Sequence, residues 1–486
     1  MFKDERRGNV WEALGQRDLQ AFIRLLGREQ LVEAAKRAGT AIGRGPLSAV
    51  TLAWLSISAA LHTSKNFADV LILTLKLLSD MPGWSESSLG RQCARRGKKG
   101  RKRHDPRGAS TGAISEEAFV QARKRLPISF WTNLLMVLGE QFEEKHPQSV
   151  GWKNFRLLML DGSQLALSHW KPLADHFGTS KNGKAGRKPQ ARMLMLALAQ
   201  SRLPWRYELA PSKEHEQSVA QRMLIGLRSN DLILMDRGFW SYTLFWQIAQ
   251  QNAFFALRLR RGIPLKTVKK LGKGDRWVTW QPSKKSRQKG LSRREGLPCQ
   301  IRLRVIEYQI RGFRKSAVVT NVLDPMRVSR DEWTRLASRD ERGCILEAGL
   351  YHRRWEIETL FHELKVEQGM EGSLRGRSPE TIAYEVAGHV LLYMLTRWLI
   401  VEASVEHGCE ALRLSFTQAQ RELHDLRPAL LASTPQRVAA VLLPRLLARI
   451  AQHKIPFRPG RHFPRIGEKY KLGKYRTKSR IRKNKT

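Results

Sequence analysis

Acidic residues are scarce: 44 Asp and Glu stand against 87 Lys and Arg in 486 residues, a formal net charge of +43. Such a chain repels itself when compact. A neutral metabolic enzyme is therefore excluded as the default, and a polyanionic partner is indicated, nucleic acid first and a membrane surface second. Long uncharged apolar runs are also missing, although a membrane-spanning helix needs about 20 such residues. The longest stretch, Leu47 to Leu61, carries Ser48, Thr51, Ser56 and Ser58 and stops at His62, as a buried core helix would. No membrane partner is expected. The charged start, Met1 to Arg7, has no apolar run behind it, so no signal peptide is read and a cytoplasmic protein is expected. Cysteine is nearly absent. Cys93, Cys299, Cys344 and Cys409 lie far apart with no CxxC spacing, which excludes a disulfide framework and a zinc site.

What is present suffices for packed cores. Hydrophobic residues make up 42% of the chain, with 14 Trp and 17 Phe, which excludes wholesale disorder; the length fits roughly two to four domains. Helical spacing over residues 1–93 predicts a small helical domain. The run from Arg95 to Arg103 in linker 94–112 has no apolar face and reads as a solvated linker or a phosphate-tracking arm. Ser115 would cap a helix through Ala122 and Leu126 that stops at Pro127.

From 113 to 261 the texture is mixed α/β. Phe155 to Leu160, Met193 to Ala199, Leu232 to Met235 and Phe254 to Leu259 read as buried strands, alternating with helical patterns at Ser212 to Arg228 and Tyr242 to Gln250. Residues 262–336 read as a β-rich basic insertion. Helical periodicity is expected from Arg335 onward, through residues 337–375 and a C-terminal helical region at 376–458 in which Pro444 suits a first turn. The tail, 459–486, is dominated by Lys and Arg.

The stretch Tyr351 to Lys365 is the most informative. On an α-helix, Tyr351, Arg354, Glu358 and Lys365 would share an arc of about 60°. A phenol, a guanidinium, a carboxylate and an ammonium on one face could ligate a divalent ion and hold phosphates. The same face could equally be a solvated one laced with ion pairs. A lone carboxylate cannot hold a catalytic metal, and Asp161 and Asp236 are the candidate partners, each at the end of an apolar run and followed by Gly162 or by Arg237-Gly238. Singly, each could be a turn-initiating Asp. Arg237 could aim at DNA or lower the pKa of Asp236. Glu214-His215-Glu216 reads as an acidic first turn rather than a metal cluster, and Trp355 and Phe361 are expected to pack their helix on the sheet.

Two strand-borne aspartates and a helical glutamate are the arrangement of an RNase H-like two-metal site. The Tyr-x2-Arg-x3-Glu-x6-Lys pattern of Tyr351, Arg354, Glu358 and Lys365 resembles the signature of the insertion-sequence-4 family of DDE transposases. Leu160-Asp161-Gly162-Ser163 and Leu234-Met235-Asp236-Arg237-Gly238-Phe239 resemble its two Asp blocks, and the likeness runs from about Gly112 to Gly460.

The resemblance implies an RNase H-like α/β core interrupted by the β-rich insertion, with an N-terminal helical DNA-binding domain and C-terminal helices. It implies cut-and-paste transposition by two Mg2+ (or Mn2+) ions on Asp161, Asp236 and Glu358, with end cleavage through a hairpin and then strand transfer. It gives Tyr351, Arg354 and Lys365 phosphate-gripping roles. Its expected partners are double-stranded DNA, as terminal inverted repeats and target, and a second copy of the chain in a synaptic complex on the nucleoid. Relatives place an aromatic wedge in the insertion; the matching position falls near Ser316, leaving Trp277, Trp280, Phe313 and Trp333 as candidates. A metal-dependent nuclease without strand transfer, and a DNA-binding protein with a dead core, are the competing readings.

Overall fold

The computed structural model describes residues 20–22, 24–43, 48–63, 121–179, 188–282, 297–309, 315–334, 336–339 and 345–456. The expected basic arms at Arg95 to Arg107 and Arg461 to Lys485, the Ser115 cap, and Phe313 lie outside them. Near the N-terminus are α1 (Arg28–Arg37), α2 (Ala49–Leu61) and α3 (Ile128–Lys145). Helix α2 is the serine-containing apolar run; it is buried over nearly its whole length, and Ser48 caps it by accepting from Thr51 N. Pro127 is the N-cap of α3, since a fixed φ without an N–H suits a helix start.

The sheet begins with β1 (Gly151–Trp152), β2 (Phe155–Ala166), β3 (Gln190–Leu198) and β4 (Pro204–Pro211). Helix α4 (Lys171–Phe177) connects β2 to β3, and α5 (Glu216–Met223) leads into β5 (Asp231–Met235). Helix α6 (Tyr242–Gln250) then leads to β6 (Phe254–Arg258), followed by β7 (Leu265–Gly272), β8 (Asp275–Trp280), β9 (Ile301–Tyr308) and β10 (Ser316–Thr320). The order is β4-β3-β2-β5-β6-β10-β9-β8-β7, with β1 paired to β2. Strands β2, β5 and β6 run parallel, and the other pairings are antiparallel. The expected insertion is thus β-rich, but its strands extend the same sheet, β10 adding to β6.

Beyond the sheet, α7 (Arg330–Thr334) precedes a two-stranded hairpin, β11 (Leu336–Arg339) with β12 (Ile345–Ala348). This corrects the expectation of helix from Arg335 onward: the helical pattern resumes only at Leu350. Then come α8 (Glu356–His362), α9 (Met370–Ser373), α10 (Pro379–Glu406), α11 (Phe416–Ala432), α12 (Pro435–Arg437) and α13 (Leu443–Gln452), with Pro444 in the first turn of α13.

Helix α10 corrects a second expectation. Its 28 residues are long and apolar enough to cross a membrane by length and composition, although no such stretch is expected from the sequence. His389, Arg397 and Glu402 break the run on inspection, yet an 18-residue average tolerates them. Of that window 94% is buried inside the protein, so α10 is the central core helix. Around it pack α2, α3, α11 and α13, while α1 lies on α3. The described N-terminal helices therefore join the main core. The crossing of α2 and α10 is close: a Cβ on Gly388 would lie 2.7 Å from the Ser56 carbonyl oxygen.

Candidate active site

The register of the parallel strands builds the site. Strands β2 and β5 pair from Arg156↔Asp231 to Leu160↔Met235, so the next residue on each is Asp161 and Asp236. Neighbouring strands lie about 4.8 Å apart, and side chains alternate between faces. Two aspartates one step beyond the last parallel pair therefore emerge together. The apolar run predicts a strand that ends at Asp161, but β2 runs on to Ala166 because β3 continues to pair with it, Asp161 opposite Met195. Its partner β5 does stop, and Asp236 opens a 3₁₀ turn, Arg237–Phe239.

The third carboxylate arrives on an irregular helix. Tyr351 and Arg354 lie in a 3₁₀ segment, Leu350–Trp355; Glu358 lies in α8; Lys365 lies in a π-helical turn, Glu363–Glu367. The spacing predicts a uniform α-helix, whereas three windings in succession carry the four residues. They still meet one region of the sheet. Tyr351 donates from its hydroxyl to Met235 O (3.0 Å) and accepts from Arg258 N (3.1 Å), tying the ends of β5 and β6 beside Asp236. Arg354 places Nη1 3.2 Å from Asp161 Oδ2 and Nη2 3.3 Å from Glu358 Oε1. Lys365 donates to Gln164 O (2.6 Å) and Ser163 Oγ (3.2 Å), and its Nζ is 3.4 Å from Glu371 Oε2. Along β2 the segment thus docks Arg354 at Asp161 and Lys365 two residues on.

Charge and burial oppose each other here. Burial pushes the Asp161 carboxyl up to about 6; Asp236 and Glu358 add repulsion, and Arg354 and the Gly162 N–H offset part of it. Burial also works against the Arg354 charge, but Tyr351, Asp161, Asp236 and Glu358 outweigh it and raise its pKa. Burial likewise pushes the Tyr351 phenol well up.

Among the described residues no three His, Cys, Asp or Glu side chains are grouped as a metal-ready cage, and Arg354 stands between Asp161 and Glu358. Hard carboxylate oxygens nonetheless suit Mg2+ or Mn2+. Their mutual repulsion, which helps raise the Asp161 pKa, is what a divalent cation would relieve.

Other expected residues fall variously. Arg237 is exposed next to Asp236. Glu214 lies before α5 and pairs with Arg222, while Glu216 faces Arg192 (3.8 Å) and Gly162, so the expected acidic first turn is made by Glu216 alone, with His215 as the N-cap. Phe361 is buried, but Trp355 is 43% exposed, with the Arg354 guanidinium 4.8 Å from its ring. The expectation that Trp355 packs on the sheet is therefore wrong; it follows Arg354, whose inward turn leaves the next residue outside. Of the wedge candidates, Trp280 and Trp333 are buried, whereas Trp277 is half-buried beneath Lys269 and Arg302. Sequence reasoning missed Arg258, Ser163 and Gln164, whose partners come from elements far apart in the chain.

Residues 155–395 match the Transposase DDE domain family. The chain is 27% identical over 362 residues to the transposase InsG for insertion sequence element IS4 of Escherichia coli (strain K12), covering 73% of this chain and 76% of the relative. Among solved structures, the piggyBac transposase synaptic complex with hairpin DNA aligns over 91% of this chain and 86% of that one, at 10% identity and a TM-score of 0.34, too distant to carry an argument. The Asp161, Asp236 and Glu358 blocks all lie inside the matched region, and the two findings together support an insertion-sequence-4 family DDE transposase.

Proposed function

We propose that the protein performs cut-and-paste DNA transposition with Asp161, Asp236 and Glu358 as its catalytic carboxylates, on an RNase H-like core. The observation that carries this reading is the β2–β5 register, which brings Asp161 and Asp236 out side by side, with Glu358 joined to Asp161 through Arg354. The central order β4-β3-β2-β5-β6, parallel at β2, β5 and β6, supports the RNase H-like assignment.

Two Mg2+ or Mn2+ ions would supply Lewis-acid charge neutralisation for phosphoryl transfer. The chain's part is to orient and to exclude. Asp161, Asp236 and Glu358 would hold the ions; Arg354 balances carboxylate charge between Asp161 and Glu358; Tyr351 fixes the strand ends; Lys365 fixes the far end of the helical segment against β2. The excess of cations suits double-stranded DNA, both terminal inverted repeats and target, and pairing of two ends calls for a homodimer. End cleavage through a hairpin, then strand transfer, completes the reading, and of the described wedge candidates Trp277 is the one left partly exposed.

Cleavage of a transposon-end duplex with and without Mg2+, on a denaturing gel that resolves hairpins, tests it. Asp161→Ala, Asp236→Ala and Glu358→Ala should each bind the end and fail to cut. Metal-independent product, or undiminished cutting by these variants, would overturn the reading.

A further inference from the structure

Arg202 lies in the β3–β4 loop, far from Asp161 in sequence terms and without any place in the signature, yet it is buried and strained. Its φ is +57°, a left-handed conformation uncommon for a residue with a long side chain, and its backbone N–H donates to Leu198 O (2.9 Å). Such strain persists only where surrounding contacts over-determine it. Here they do. Arg202 Nε and Nη2 donate to Glu356 Oε2 (2.8 and 2.5 Å), and Nη1 donates to Glu363 Oε1 (2.7 Å).

Glu356 and Glu363 flank Glu358, at the first residue of α8 and the first residue of the π turn. Glu363 is buried and also accepts from the Tyr393 hydroxyl (2.6 Å) of α10, while Arg397 stands 3.9 Å away and donates from Nε to Ser201 O (3.0 Å). Two guanidinium and two carboxylate charges balance within this cluster. Burial alone would lower the Arg202 pKa, but Glu356 and Glu363 outweigh it and keep the charge firmly in place.

We infer that Arg202 is a positioning residue for Glu358: by clamping Glu356 and Glu363 it fixes both the rotation of α8 and the change of winding that follows it. A planar fork is needed to reach both carboxylates, so Lys cannot substitute fully. The π turn explains why a clamp is needed, since the extra residue that it accommodates could otherwise slide along the helix and turn Glu358 away.

This inference rests on the proposed role of Glu358, and the test separates the two. Using the full-length protein, Arg202→Lys, Arg202→Met and Glu356→Gln are compared for end binding, thermal midpoint, cleavage rate and the Mn2+ concentration giving half-maximal cleavage, with Glu358→Ala as control. Arg202→Met should bind the end normally, cut at least tenfold more slowly and require several-fold more Mn2+. Glu356→Gln, at the more exposed partner, should keep the thermal midpoint and show a smaller shift in Mn2+ requirement in the same direction; Arg202→Lys should lie between wild type and Arg202→Met. An unchanged Mn2+ requirement in Glu356→Gln, or wild-type cleavage by Arg202→Met, would overturn the positioning role. Undiminished cleavage by Glu358→Ala would instead overturn the assignment of the catalytic carboxylates.

Discussion

Arg354 Nη1 stands 3.2 Å from Asp161 Oδ2, yet burial still pushes the Asp161 carboxyl up to about 6, above its ordinary 3.8. Burial and the neighbouring carboxylates outweigh one ion pair. In the metal-free protein the ionised form is therefore a strain on the fold. Because the folded pKa lies above the unfolded one, the neutral form's advantage is present below about 3.8 and is lost as pH rises through 6.

Asp161→Asn should accordingly abolish cleavage while stabilising the metal-free protein at pH 8, by about 2–3 kcal/mol from the size of the shift. The gain should vanish near pH 4. Urea unfolding at the two pH values checks it; destabilisation of equal size at both would show that the Arg354 pairing dominates.

Tyr351→Phe removes a hydroxyl that serves the carbonyl of Met235 and the N–H of Arg258. Both backbone groups would be left short of a partner in a buried place, at a cost of about 1–3 kcal/mol. If the phenol acts by fixing the strand end before Asp236, end cleavage should fall about tenfold or more while end binding holds. A phosphate-gripping role requires the reverse order, with binding lost first. Gel-shift titration beside single-turnover cleavage distinguishes the two.

How much was legible depends on the range of the interaction. The strands from Phe155 to Leu259 were readable because their apolar runs are local, and Asp161, Asp236 and Glu358 stood out because a carboxylate ending such a run, or sharing a face with Arg354, is conspicuous. The continuation of β2 through Asp161 was not readable, since it depends on β3 pairing beyond the end of β5. Nor was the change of winding before and after α8, which is set by Arg202, Tyr393 and other groups remote in the chain. The outward placement of Trp355 was missed for the same reason: the side chain that Arg354 seeks lies 193 residues away, on Asp161.

Gly388→Ala tests the seam between the N-terminal helices and the core. A methyl there would lie 2.7 Å from the Ser56 carbonyl oxygen, a backbone atom that can move only with α2. The expected cost is about 1–3 kcal/mol, as for other overpacked sites. Gly372→Ala, where nothing lies within 4 Å, is the control and should be neutral or slightly stabilising. Thermal unfolding of both variants reads the difference; similar midpoints would mean that α2 and α10 separate without cost.

His389 provides the opposite pH dependence to Asp161. It is buried on α10, its Nδ1 3.2 Å from Gln368 Nε2 and its Nε2 2.7 Å from Ser373 Oγ, and burial pulls its pKa down to about 3. A folded pKa below the unfolded 6.5 means that its contribution is complete above pH 6.5 and is lost as pH falls toward 3. Between about pH 4 and 6 this loss on acidification runs against the gain at Asp161, so the metal-free wild type should show a shallow stability profile there. Removing the Asp161 titration exposes the histidine: Asp161→Asn should lose about 1.4 kcal/mol per pH unit through that window. Adding His389→Gln should lower stability at pH 7.5, because the ring's polar contacts are lost, and should flatten the profile below 6. Urea midpoints at half-unit pH steps measure both slopes. A steep acid loss that persists in the double variant would place the responsible proton on a group other than His389.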